Sequence, residues 1–269
     1  MRKLGITQLH DAKPRALAVD QIKMIKDVGF DLCSFKYYNN EPIELYANEA
    51  AKCGIGIEAL HAKNIDANSL WKENEGTKGY IDIIKKTIDT CHDFNIGKMV
   101  MHTMLDNNPP PVSEFGINNF LMIASYAKEH NVHIAFENME TPEHIKAVLN
   151  AVKDNYHGLC WDCGHNYGYT PNFDVMSILG DRLMATHIHD NFGLARDWDH
   201  WYEADIHLLP FDGNYDFKTY AAKIKESGYK GPLTFELSTE GKKEYGLMSL
   251  LEFFQAAYKR ACVIRDMCE

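Results

Sequence analysis

Histidine and carboxylate side chains recur where the apolar runs of this sequence end. His102 ends one run, Glu137 the next, Asp162 a third with His165 three residues on, and Glu236 the last. His61 stands just before the end of an earlier run. His187 and His189 close another and, being two apart on an extended strand, share a face. Asp205 and His207 repeat that spacing in the long segment that follows. A single such residue reads as a hydrogen-bonded polar group at a strand end; the joint occurrence carries the argument. Converging carboxylates repel one another and are costly to bury unpaired, and a divalent cation removes that cost. Carboxylate plus imidazole is the ligand set of zinc, manganese, cobalt or iron, with magnesium also in range. No G-x-S-x-G elbow is present and no cysteine stands beside an obvious base, so a nucleophile mechanism finds no support. His92, His130, His144 and His157 fall in helical stretches or at their ends and read as structural, while His10 and His200 lie in or near loops of the same face as the ligands.

The elements that must position these groups form a repeat of pattern. Eight β-rich runs, LGIT (4–7), FDLCSF (30–35), IGIEALHA (55–62), KMVMH (98–102), VHIAFE (132–137), GLCWD (158–162), MATHIH (184–189) and PLTFE (232–236), are nearly continuously apolar. Parallel strands covered by helices look like this. Between them lie stripes of helical period: Ala18, Ile22, Ile25; Ile81, Ile84, Ile88, Cys91; Phe120, Ile123, Ala127; Ile145, Val148, Leu149, Val152; and Leu247, Leu250, Phe254, Ala257. Gly29, Gly54, Asn95, Asn131 and Gly228 separate helix from strand and suit left-handed helix C-caps. Eight such units predict one (β/α)8 barrel spanning residues 1–269, whose strand C-termini gather the polar residues at one mouth. An open doubly wound sheet would carry a glycine-rich phosphate loop after its first strand; QLHDAKP stands there instead.

With 28 Lys+Arg against 38 Asp+Glu, the net charge of −10 argues against a general nucleic-acid or anionic-membrane binder, since both need a basic face. No apolar run reaches the roughly 18 residues of a membrane span. Seven scattered cysteines and no secretory leader predict free thiols in a reducing cytoplasm; Cys160 and Cys163 form a C-x-x-C without a second pair at zinc-ribbon spacing. Nothing in the composition fixes the oligomeric state, and a homo-oligomer stays open.

AFEN (135–138), WDCGH (161–165), HIHDN (187–191), DIHLLPFDGNYDF (205–217) and TFE (234–236) together resemble the xylose isomerase-like barrel superfamily. That group holds sugar-phosphate isomerases and epimerases, inosose-metabolising enzymes and the endonuclease IV type of DNA-repair nuclease. The resemblance implies that Glu137, Asp162, His189 and Glu236 are the metal quartet of the sugar epimerases, with His165 contacting substrate beside it. It equally implies a nine-ligand nuclease pattern from His61, His102, Glu137, Asp162, His165, His189, Asp205, His207 and Glu236. His61, His102, His165, Asp205 and His207 are thus either substrate contacts or a second metal site.

The surroundings separate the two. Residues 189–216 carry seven Asp/Glu against Arg196 alone, and LDNNPPPV has no basic residue, which leaves no track for a phosphate backbone. The same stretch is aromatic (Phe192, Trp198, Trp201, Tyr202, Phe211), as suits a lid over a sugar-sized pocket. The expectation is a metal-dependent sugar or sugar-phosphate isomerase or epimerase acting through an enediolate. Glu137 and Glu236 move the proton, His165, His61, His102, Arg196 and Trp201 contact a small carbohydrate, and an inosose-type dehydratase or an abasic-site nuclease is the alternative.

Overall fold

The computed structural model describes residues 1–9, 11, 18–194 and 204–269. Arg196 and Trp201, expected to touch substrate, lie outside the described residues, as do His10, Trp198, His200 and Tyr202. Among the described residues the apolar runs are eight strands: β1 Leu4–Thr7, β2 Leu32–Tyr37, β3 Gly56–Ala62, β4 Lys98–His102, β5 His133–Glu137, β6 Gly158–Asp162, β7 Leu183–His187 and β8 Leu233–Phe235. They pair in parallel in the order β7-β6-β5-β4-β3-β2-β1-β8. Ile188, just past β7, closes the remaining seam: its N–H donates to Thr234 O at 2.9 Å and its carbonyl accepts from Glu236 N–H at 3.2 Å. The fold is the expected (β/α)8 barrel.

The helices are α1 Ala18–Val28, α2 Ile43–Cys53, α3 Glu75–Asp93, α4 Glu114–Glu129, α5 Pro142–Ala151, α6 Cys163–Gly168, α7 Val175–Leu179, α8 Phe217–Glu226 and α9 Leu250–Cys268. The stripes bury as predicted: Ile22 and Ile25 on α1, Ile84, Ile88 and Cys91 on α3, Phe120 and Ile123 on α4. Each fully buried side chain of this size contributes roughly 1.5–3 kcal/mol. Leu247 departs from its stripe. It ends a 3-10 turn before the Ser249 N-cap of α9 and is 85% exposed. The five predicted caps all take positive φ: 119° at Gly29, 68° at Gly54, 54° at Asn95, 58° at Asn131 and 70° at Gly228. Among the described residues no helix is long and apolar enough to cross a membrane. All seven cysteines are free.

Inside the barrel, Ala59, Val100, Ala135, Cys160 and Ala185 form a buried layer of small side chains. Below it the Lys98 ammonium pairs with Glu58 at 3.0 Å and donates to Met184 O at 3.0 Å, so the lower end is closed by a satisfied charge pair. Small residues in the middle leave room above them for larger polar side chains.

Candidate metal centre

Residues two apart on a strand share a face, so each interior filler is followed, two residues on, by a side chain that enters the mouth. Ala59 precedes His61, Val100 precedes His102, Ala135 precedes Glu137, Cys160 precedes Asp162, Ala185 precedes His187 and Thr234 precedes Glu236. All six mouth residues are buried. Register then sets which neighbours meet. His102 lies opposite Glu137 and Asp162 opposite His187. The resulting ring of ligand atoms joins Glu137, Asp162, His187 and Glu236 within 4.8 Å of one another.

His187 therefore takes the position that the resemblance gave to His189. Its Nδ1 lies 2.9 Å from Glu137 Oε1 and 2.9 Å from Glu236 Oε2. His189 sits one layer higher. It touches the quartet through Asp162 Oδ1 at 3.0 Å, and its own ligand group is His165, Asp205 and His207. Strand register separates them: His187 is paired opposite Asp162, and His189 lies two residues, about 6.6 Å of strand, further along.

Glu137 is the hub. Its Oε2 faces His61 Nε2 at 3.0 Å and His102 Nε2 at 3.4 Å, and its Oε1 faces His165 Nδ1 at 3.6 Å besides His187. Burial alone would raise its carboxyl, but the imidazoles of His187 and His102 hold it well below the usual carboxylate range. Glu236 behaves likewise: burial is outweighed by the Lys36 ammonium at 3.0 Å and by His187. Burial works against charge on His207, yet Asp205 at 2.8 Å raises it to about 9.

These contacts test whether a cation fits. His61 Nδ1 donates to Ala62 O at 2.9 Å, and His207 Nδ1 donates to Glu236 O at 3.0 Å. A neutral ring whose Nδ1 donates presents a lone pair at Nε2. In His61 that Nε2 points at a Glu137 oxygen, whereas His207, raised to about 9, meets Asp205 with its own proton. Two acceptors face to face need a proton or a metal ion between them. Asp162 Oδ2 is buried with no hydrogen-bond partner among the described residues, an orphaned anionic oxygen inside the quartet. The donor set, the His61 tautomer fixed by a backbone carbonyl and this orphan all fit a divalent cation.

Local structure holds the upper ligands. Asp162 caps α6 by accepting from His165 N–H at 2.6 Å, which fixes the D-x-x-H pair. Asn138 binds the β6 end reciprocally: its side chain donates to Asp162 O at 2.9 Å and accepts from Asp162 N–H at 2.9 Å. Gly164 is needed because a Cβ there would come 2.0 Å from His189 Cε1. After β7 the chain folds back, and Asp190 N–H and O bond Leu208 O and N–H at 3.0 and 2.8 Å. The Asp190 carboxylate also accepts from Gly213 and Tyr215 N–H, both at 2.9 Å. That hold lays Asp205 and His207 over the mouth, with the His207 and His189 rings stacked at 3.9 Å. His207 takes φ +47°, a strained left-handed conformation outside glycine, at a site residue.

Above the ring lies a cavity of about 370 Å³, within the range of small-ligand sites. His61, His102, His165, Asp205, His207 and Glu236 form its floor. Of the quartet, Glu236 alone lines it; Glu137, with both oxygens turned to imidazoles, lies beneath. The walls bring in residues that the sequence reading passed over: Lys36, Tyr38, Asn64, Glu140 and Tyr169. Lys36 was legible in part, since extending the second run by one residue ends it, like its neighbours, in a charged side chain. Glu140 and Tyr169 sit in loops and helix ends that carry no periodic signal.

A family model described as "Xylose isomerase-like TIM barrel" matches residues 22–257. The chain is 27% identical over 219 residues to the uncharacterized protein y4fM of Sinorhizobium fredii, covering 76% of this chain and 65% of that one. It is 25% identical over 201 residues to the uncharacterized protein MJ1311 of Methanocaldococcus jannaschii, covering 66% and 63%. The chain thus spans just under two thirds of the length of these curated relatives. Among solved structures, an IOLI protein with a bound zinc atom superposes with a TM-score of 0.78 at 19% identity, covering 97% of each chain. An L-ribulose 3-epimerase superposes at 0.73 and 16% identity, covering 100% of this chain and 96% of that one. A D-psicose 3-epimerase from Clostridium cellulolyticum H10, with D-tagatose, does so at 0.75 and 13%, covering 99% of each.

Proposed function

The chain belongs to the xylose isomerase-like TIM barrel family, and on that premise we propose that it is a metal-dependent isomerase or epimerase of a sugar or sugar phosphate. The observation that carries this reading is the closed ring of Glu137, Asp162, His187 and Glu236 under a sugar-sized cavity. Those four residues hold the cation, of zinc, manganese, cobalt or magnesium type. A bound cation supplies polarisation of the substrate carbonyl and stabilises the negative charge of an enediolate. The relatives with sugar epimerase names support the substrate class.

Glu236 moves the proton in this reading, because it is the one member of the quartet that lines the cavity. Its Oε2 is turned to His187, while the residue lines the cavity. It removes the proton α to the carbonyl and returns it on the same face at the neighbouring carbon, which is isomerisation; epimerisation needs a second proton donor on the opposite face. Glu137, shut in by His61, His102, His165 and His187, serves as ligand and anchors those rings. His165 and His207 line the cavity floor with each Nε2 turned to Asp205, which fixes the two rings and leaves the Asp205 carboxylate beside the substrate. Asn64 and Tyr38 line the same space. The test is turnover of a sugar panel in D₂O after metal analysis. Deuterium is expected on the carbon next to the carbonyl; an unlabelled product would replace proton transfer with an internal hydride shift.

A second reading, hydrolysis of a phosphoester, is favoured by one observation. Three ligand groups adjoin: His61, Glu137 and His187; the quartet; and His165, His189, Asp205 and His207. Centres with more than one cation suit displacement at phosphorus. The acidic sequence makes DNA a poor substrate, so no measurable cleavage of an abasic duplex is expected at physiological salt with zinc or manganese. Metal-dependent cleavage lost in Asp162→Ala would put this reading first.

A further inference from the structure

Among the described residues that line the cavity, Lys36 is the one lysine or arginine. It stands near the end of β2, with its side chain 31% exposed. Its ammonium is held 3.0 Å from Glu236 Oε1, while Glu236 Oε2 faces His187. The two oxygens of one carboxylate are thereby divided between the ligand ring and a lysine at the cavity wall.

This arrangement is costly without a third partner. Once Glu236 serves a cation, ammonium and cation share one carboxylate, and each weakens the other's hold on it. An ammonium also has three donors, and Glu236 occupies one. An anionic oxygen entering from the cavity removes both costs by accepting from Lys36 while lying beside the cation. The opposite wall could not take that anion: Asp106 and Glu140, on the loops after β4 and β5, are carboxylates that repel it. They suit the hydroxyl-bearing end, since carboxylates accept hydrogen bonds from hydroxyls. Around the cavity wall, then, Lys36 offers an anion an ammonium donor, and the loops after β4 and β5 offer it carboxylates.

We propose that Lys36 is a substrate-binding residue that takes an anionic oxygen group, so that the substrate is a sugar acid or a sugar phosphate rather than a neutral sugar. The proposal rests on the reading that the quartet holds a cation. Its contribution is a charge-assisted hydrogen bond, which in a half-buried site gives on the order of a 10- to 100-fold preference.

Calorimetric titration of Mn²⁺-saturated protein tests it with three probes of one backbone: xylitol, xylonate and xylitol 5-phosphate. The wild type is expected to bind one anion at least about 10-fold more tightly than xylitol, and which one identifies carboxylate or phosphoryl as the source. Lys36→Met is expected to lose that preference while keeping its metal and its xylitol affinity; Lys36→Arg is expected to keep the preference in part. Equal binding of all three probes by the wild type, or an unchanged preference in Lys36→Met, overturns the proposal. So does loss of metal from Lys36→Met, because Lys36 would then only position Glu236. Failure of Mn²⁺ to bind the wild type at all is a separate result: it removes the metal reading, and this proposal with it.

Discussion

His187 and His157 are both buried imidazoles, 4% and 1% exposed, and they face opposite chemistry. His187 at the mouth meets two carboxylates, Glu137 and Glu236. His157, between the strands and the outer helices, meets only backbone: Nδ1 accepts from Ile134 N–H at 2.9 Å and Nε2 donates to Ala124 O at 2.9 Å. His144 likewise meets only neutral partners, donating from Nε2 to Pro110 O at 2.9 Å and accepting at Nδ1 from the Thr141 hydroxyl at 2.6 Å. Burial lowers His157 to about 4, because its two backbone partners are satisfied by the neutral ring. For His187 burial pulls the same way, but Cys160, Glu137 and Glu236 override it and raise the ring well above its ordinary value. The partner decides the role of a buried histidine. A ring between two backbone groups joins elements; a ring shared by two buried carboxylates marks a place for a cation.

The largest expected effect lies at the mouth. Glu236→Gln should lower turnover by about 10²–10⁴-fold with the metal retained, since the amide keeps one ligand oxygen and removes the proton acceptor. Glu137→Gln should instead lose metal, because four imidazoles depend on that carboxylate. Metal content measured beside turnover separates them, and the opposite assignment of the two losses would exchange their roles.

The next comparison is between two histidines of one strand end. His187→Ala should weaken metal binding by more than about 100-fold, whereas His189→Ala, which touches the quartet through Asp162, should cost about 10- to 100-fold. Competition with a metal indicator reads both, and a larger loss at His189 would restore the quartet that the resemblance implies.

On the helix side the effect moves from metal to stability. His157→Phe leaves Ile134 N–H and Ala124 O unpaired and should cost about 2–4 kcal/mol in urea unfolding, with metal binding unchanged. Its pH dependence has a definite sign. The folded ring titrates at about 4, below an unfolded histidine at about 6.5. Acid therefore protonates the unfolded chain first, so the stability from His157 is complete above about pH 6.5 and is lost as the pH falls toward about 4. The wild type should lose stability across that window more steeply than His157→Phe; parallel curves would contradict the neutral, backbone-bound ring. The smallest effect belongs to His92, which is exposed: His92→Ala should stay within about 0.5 kcal/mol of the wild type and leave metal content unchanged.

How much of this the sequence made legible follows from the range of each interaction. The runs ending in His102, Glu137 and Asp162 coincide with the ends of β4, β5 and β6, and the caps at Asn95 and Asn131 are left-handed as read. Strand and cap are settled by the residue and its near neighbours. Leu247 fit the α9 stripe but was cut off by Ser249, whose capping box with Glu252 starts the helix later. β2 runs to Tyr37 rather than Phe35, because its pairing with β3 continues from Lys36 opposite His61 to Tyr37 opposite Ala62. That pairing carries Lys36 to the mouth.

By itself, the sequence determined the barrel and the residue types at its mouth: continuous apolar runs, stripes of helical period and carboxylates beside histidines are all written in order along the chain. The tertiary structure decided which of these groups meet. His187 and His189 are equivalent in sequence, two apart and facing one way, and only the register of β7 against β6 sets His187 level with Asp162. Asp205 and His207 reach the mouth only because Asp190 pins the loop back on itself. Contacts across strands and loops depend on register and closure, which no window along the chain contains.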